Sequence, residues 1–253
     1  MQIENIYKKH SECTIILINI YKYDSITIRI CNAKGAYKMK ESAARMRRTQ
    51  YRAQKILEAA MVLFCEKGIE ETSIDEIAER AGVGSATIYR YYETKAQLAI
   101  RSGIEYWKKI AGQYLNVTEI KRYSDMSGRE QLECIMDALI VIFERETGFL
   151  KYLQEFEVFV RRYEIDIERL AEYEECIMSL KPRVTDALEK GLADGTLDFE
   201  WSPNEVCYSL AHTAFGVMKR FAWNGSMLEL DSQVELILQV KIAIKLLIRG
   251  LAA

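Results

Sequence analysis

From residue 56 to the end of the chain, apolar residues recur three and four positions apart with charged residues between them. This is the spacing of helices that each bury one face. Ile56, Ala59, Ala60, Leu63 and Phe64 form the apolar stripe of a first helix, which Gly68 ends. Ile74, Ile77 and Ala78 mark a short second helix, and residues 86–91 a short third. Beyond Lys95, a long pattern through Leu98, Ile104, Trp107, Ile110 and Tyr114 runs to about residue 115. Leu132, Ile135, Met136, Leu139, Ile140 and Phe143 define a helix over 128–146, after which Thr147-Gly148 is expected to break the chain. An aromatic-rich helix over 149–162 carries Phe149, Tyr152, Phe156 and Phe159. The pattern over 165–191 contains Pro182, which must kink or divide it, because proline has no N–H to donate and clashes with the preceding turn. Two last helices are expected over 203–223 and 231–249, each apolar on more than one side. No long alternating run follows residue 39. The pattern predicts an all-α chain: an N-terminal three-helix bundle over 39–95 and a helical C-terminal domain over 96–253.

Local chemistry sharpens the helix starts. Ser73-x-x-Glu76, Thr94-x-x-Gln97, Ser127-x-x-Glu130 and Ser202-x-x-Glu205 fit the reciprocal capping box, with Pro203 at a first helical position. Gly82 suits a left-handed helix end, and Val83 an inward turn residue. Residues 73–91 thus read as two short helices on a tight turn, the geometry of a helix-turn-helix. The outer face of its second helix is unusual. Small Gly84 and Ala86 allow close approach of another backbone, while Ser85, Thr87, Tyr89, Arg90 and Tyr91 bring hydroxyls and a guanidinium. Such groups donate to phosphate oxygens and base edges. Thr87, Tyr91 and Lys95 are expected on phosphates, and Ser85, Ala86 and Tyr89 near base edges. Arg90 fits phosphate, base or solvent.

Composition narrows the function classes. The 253 residues are 49% apolar with a formal net charge of −2, so affinity for nucleic acid must come from a local basic patch. One such run holds Arg45, Arg47, Arg48 and Arg52. The six cysteines form no C-x-x-C pair and read as reduced thiols of a cytoplasmic protein. His10 and His212 have no neighbouring ligand set, and there is no nucleophile–base pair, phosphate loop or metal spacing. An enzyme is not expected, nor a cofactor or metal. The apolar run over 14–20 is too short to span a membrane. Residues 1–38, rich in Ile, Tyr, Lys and Asn, read as a non-native or disordered extension. Lys34-Gly35-Ala36 can be encoded by a purine-rich, ribosome-binding-like sequence just ahead of a start at Met39.

Residues 56–98 closely resemble the N-terminal DNA-binding domain of the TetR/AcrR family of bacterial transcriptional repressors. Phe64, Gly68, Thr72-Ser73-Ile74, Ile77-Ala78, Ala81-Gly82-Val83, Ile88-Tyr89, Tyr91-Tyr92, Lys95 and Leu98 carry the likeness. Ser85 departs from it, since relatives often have lysine or another long residue there, and Tyr92 stands where Phe is common. The resemblance implies contacts to double-stranded DNA at an inverted-repeat operator. Arg47 and Arg48 on the basic arm and Thr72 and Ser73 at the helix entry join the residues above. It also implies a homodimer through the last two helices and a small-molecule effector in the C-terminal domain, apolar or amphipathic, that releases the DNA. Trp107, Tyr114, Phe143, Phe156, Phe159, Phe215 and Met218 are the candidate lining. The competing expectation is a helical interaction protein, or a regulator answering to a protein partner without a small-molecule ligand.

Overall fold

Helices account for most of the described backbone. The computed structural model describes residues 28–119 and 122–253, with side chains from residue 45 onward apart from Thr118 and Leu230. The expectation for residues 1–38 therefore falls largely outside the described residues. The chain forms two compact units, Met1–Gln54 and Lys55–Ala253. Helix α1, Ile28–Lys67, passes from the first unit into the second. In the first unit, Arg45, Arg47, Arg48 and Arg52 are all exposed.

The second unit continues with α2 (Ile74–Ala81), α3 (Ser85–Tyr92) and α4 (Lys95–Tyr114). There follow α5 (Gly128–Arg145), α6 (Thr147–Arg162), α7 (Ile167–Met178), α8 (Lys181–Asp194) and α9 (Pro203–Asn224). A single turn, α10 (Glu229–Ser232), precedes α11 (Leu236–Arg249). Among the described residues there is no strand, only one bridge between Leu197 and Ala252. No described helix is long and apolar enough to cross a membrane.

The spacing argument places most of these elements, with three corrections. Residues 147–148 do not break the chain: Glu146 alone separates α5 from α6, and Gly148 lies in the first turn of α6, where backbone N–H groups need no partner within the helix. The 165–191 pattern is divided at Ser179-Leu180, and Pro182 sits in the first turn of α8, where its missing N–H costs nothing. The last helix begins at Leu236 rather than 231. Asp231 instead closes the α10 turn, accepting from the Leu228 N–H at 3.3 Å and from the Arg220 guanidinium at 2.8 Å.

One continuous core joins the helices of the second unit. Ile56, Ile77, Ile88 and Leu98 are fully buried around the short helices, and Ile104, Ile110, Leu132 and Phe149 in the body. Tyr152 of α6 is the hinge of this packing. It is wholly buried, its hydroxyl donates to the Ala99 carbonyl of α4, and its ring stacks on Phe64 of α1 at 6.4 Å and Phe156 at 5.8 Å. At the far end, α5 and α8 cross with backbones in contact. A Cβ on Gly128 would lie 1.9 Å from the Gly191 nitrogen, so only glycine fits.

Candidate nucleic-acid interface

The helix-turn-helix is set by its caps. The Ser73 hydroxyl accepts from the Glu76 N–H at 3.2 Å, and the Glu76 carboxylate accepts from the Ser73 N–H at 2.8 Å. Lys67 also bonds Glu76. These bonds, from Lys67 and then Ser73, pull the Glu76 carboxyl down to about 2. Gly82 ends α2 at φ +67°, a conformation glycine adopts without steric cost, and the Val83 N–H returns to the Ala78 carbonyl at 3.0 Å. Gly84 precedes α3 in extended backbone. Thr94 caps α4 through the Gln97 N–H at 3.1 Å, one half of the expected capping box. Between α3 and α4, Glu93 holds φ +52°, and the Thr94 N–H turns back onto the Tyr92 carbonyl, forming a strained three-residue turn.

Helix α3 presents a polar outer face. Gly84, Ala86, Tyr89 and Arg90 are exposed, with Tyr89 51% accessible despite its apolar ring. The Arg90 guanidinium lies 5.7 Å from the Tyr91 ring centre. Ser85, Thr87 and Tyr91 are half-buried. Ile88 and Tyr92 point inward, and burial pushes the Tyr92 phenol up to about 12. An exposed tyrosine beside a small-residue helix start is the arrangement that lets a helix enter a groove and meet base edges.

Three expected contacts prove to have structural partners. Thr72 is fully buried, and its hydroxyl donates to the carbonyls of Leu63 at 3.2 Å and Gly68 at 2.7 Å. It locks the α1–α2 turn, and its side chain cannot reach DNA. Ser85 donates to the Asp75 carboxylate and so ties α3 to α2. The Lys95 ammonium donates to the Glu70 carbonyl at 2.7 Å, and burial lowers its proton affinity.

Glu70 is a contact that the sequence did not disclose. Its carboxylate bonds Arg162 and accepts from the Tyr163 hydroxyl at 2.6 Å. These partners, Tyr163 first, hold it below the usual carboxylate range. The α1–α2 turn is thereby fastened to the end of α6 and the start of α4. Glu70 and Tyr163 are 93 positions apart, so no local spacing could reveal the pair.

In the body, two cavities of about 280 and 470 Å³ flank Trp107 and Phe215, which line both. Phe156 lines the larger. The other expected lining residues serve elsewhere. Met218 is fully buried core, and Phe159 packs on Tyr163 at 4.8 Å. Phe143 rests half-buried on the core, and the Tyr114 hydroxyl donates to Glu146 at 2.9 Å. Sequence reasoning missed Ile177 and Ala211, shared by both cavities, because neither is aromatic.

Comparison with known proteins agrees with this geometry. Residues 56–101 match the sequence model described as bacterial regulatory proteins, tetR family. The HTH-type transcriptional regulator YvkB of Bacillus subtilis is 33% identical over 101 residues, covering 38% of this chain and 53% of its own length. The chain thus spans about half or less of the first curated relatives it matches. A TetR-family regulator from Agrobacterium tumefaciens superimposes with a TM-score of 0.61 at 18% identity, over 81% of this chain and 100% of that one. FadR from Bacillus subtilis in complex with stearoyl-CoA does so at 0.53 and 18%, over 78% and 98%. At such identities these two structures speak to the fold, and the fold extends well past the matched residues. The chain is thus similar to bacterial regulatory proteins of the tetR family in sequence over residues 56–101, and to TetR-family structures in fold over most of its length.

Proposed function

We propose that this chain is a sequence-specific DNA-binding transcriptional regulator that acts as a repressor. The exposed outer face of α3, with Gly84, Ala86, Tyr89 and Arg90 free to meet a groove, carries the reading. Tyr89 and Arg90 read base edges in this account, Thr87 and Tyr91 hold phosphates, and Ser73 lies at the helix entry. Arg47 and Arg48 add phosphate attraction that is steep in salt and blind to sequence. Thr72, Ser85 and Lys95 position the helix rather than read DNA.

The functional unit in this proposal is a homodimer. Leu238, Ile242 and Leu246 follow one another at every fourth residue of α11 and are all exposed. A groove of about 400 Å³ runs beside them, between Trp201, Ser209, Thr213 and Leu246. An apolar stripe next to small residues suits the helices of a second copy. A twofold pair would set two α3 helices about one DNA turn apart, on the order of 34–36 Å, on an inverted repeat. The cavities around Trp107 and Phe215 would take a small apolar or amphipathic effector. FadR, of the same fold, binds stearoyl-CoA, which supports an apolar occupant. A filled cavity need only favour the wrong head spacing, and about 1–3 kcal/mol of coupling is typical. Mobility shift on a selected inverted-repeat duplex, with and without an amphiphile, tests both halves. Binding without any response to amphiphiles would remove the effector but keep the DNA reader.

A further inference from the structure

We propose that the effector is an amphipathic anion, with an apolar chain along Trp107 and Phe215 and an acidic head against Lys181 and Arg183. This rests on the reading that the cavities around Trp107 hold the effector.

The smaller cavity is walled by apolar side chains of α4, α5, α7 and α9, Met136, Leu139 and Ile177 among them. Lys181 and Arg183 of α8, both half-buried, line it through their carbon stems alone, since the lining surface is wholly apolar and their charged ends stand outside it. Neither finds a carboxylate among the described residues. The Lys181 ammonium lies 4.9 Å from the Tyr208 ring centre and 3.4 Å from its hydroxyl. Arg183 reaches only the Asn116 side-chain carbonyl, at 3.4 Å. Two cations with weak, neutral partners thus border an apolar wall. An anion placed there gains charge-assisted bonds in surroundings that screen poorly.

The larger cavity is different at its rim. There Lys219 is paired with Glu157, and Arg161 is accompanied by Glu174. Its lining thus holds two carboxylates against two cations, whereas the lining of the smaller cavity holds no carboxylate. The two cavities share Trp107, Ile177, Ala211, His212 and Phe215, so a chain anchored at Lys181 and Arg183 would run past these residues toward α6. The asymmetry of the two rims fixes both the sign of the head and its end of the cleft.

The test uses the full chain carrying Trp201→Phe and Trp223→Phe, both exposed sites, which leaves Trp107 as the reporter among the three tryptophans. Its fluorescence is titrated with dodecanoate, dodecyl alcohol and dodecyltrimethylammonium below their micelle concentrations. Dodecanoate should bind at least about tenfold more tightly than either of the others, the scale expected of a hydrogen bond to a charged group. Adding Lys181→Gln and Arg183→Gln should abolish that preference while dodecyl alcohol still binds within about twofold. Equal or tighter binding of the alcohol or the ammonium, or a preference that survives the double change, overturns the anion and leaves the effector cleft standing. No response to any of the three overturns both.

Discussion

Thr72 and Tyr89 show how differently two hydroxyl residues serve one motif. Thr72→Val keeps the shape but removes the donor to the Leu63 and Gly68 carbonyls. It should lower stability by about 1–3 kcal/mol in urea unfolding. Tyr89→Ala removes a half-exposed ring and should leave unfolding within about 0.5 kcal/mol of the parent, while discrimination among DNA sequences is lost. The sequence revealed which residues could hydrogen-bond but not with whom. Thr72, Ser85 and Lys95 each have the right chemistry for phosphate, yet their partners are a carbonyl, a carboxylate and another carbonyl of this chain. Tyr89 and Arg90 were placed correctly on an outer face because helical periodicity alone decides that.

Single elements were legible wherever the cause is local. The Ser73, Ser127 and Ser202 capping boxes form as their spacing requires, and glycine ends α2 and α8. One pH consequence follows. Glu76 titrates at about 2 in the folded chain against an ordinary 4.5, so the unfolded chain takes up its proton first. The cap's contribution is intact above pH 4.5 and is lost as pH falls from there toward about 2. Glu76→Gln should flatten that acid limb of the stability curve; an unchanged limb would assign it to other carboxylates. Contacts between elements were hidden. Nothing in the run around Gly128 announces that its neighbour is the Gly191 backbone. Gly128→Ala should cost about 1–3 kcal/mol or more by forcing α5 and α8 apart, read as a lowered melting temperature. The cavities around Trp107 were half legible for the same reason: aromatic residues stand out, but cavity walls also draw on Ile177, Ala211, Lys181 and Arg183.

For the whole molecule, function depends on joining distant parts. The Glu70 contact with Arg162 and Tyr163 fastens the α1–α2 turn to α6, the helix that brings Phe156 to the larger cavity. Tyr163→Phe together with Arg162→Gln should therefore weaken the response of DNA binding to amphiphile more than DNA binding itself. An undiminished response would place the coupling elsewhere, in α4 and Tyr152. The exposed row Leu238, Ile242 and Leu246 belongs to this scale as well. Leu238→Glu with Leu246→Glu should convert a dimer into a monomer by sedimentation and abolish operator binding without unfolding the chain. The most direct test of the account is selection of bound fragments from random double-stranded DNA at moderate salt, run in parallel on the parent chain and on Tyr89→Ala. The account predicts one enriched inverted repeat, with half-site centres about one helical turn apart, for the parent and no enriched sequence for Tyr89→Ala. A folded, dimeric parent that enriches nothing, or a Tyr89→Ala protein that enriches the same repeat equally well, would contradict it.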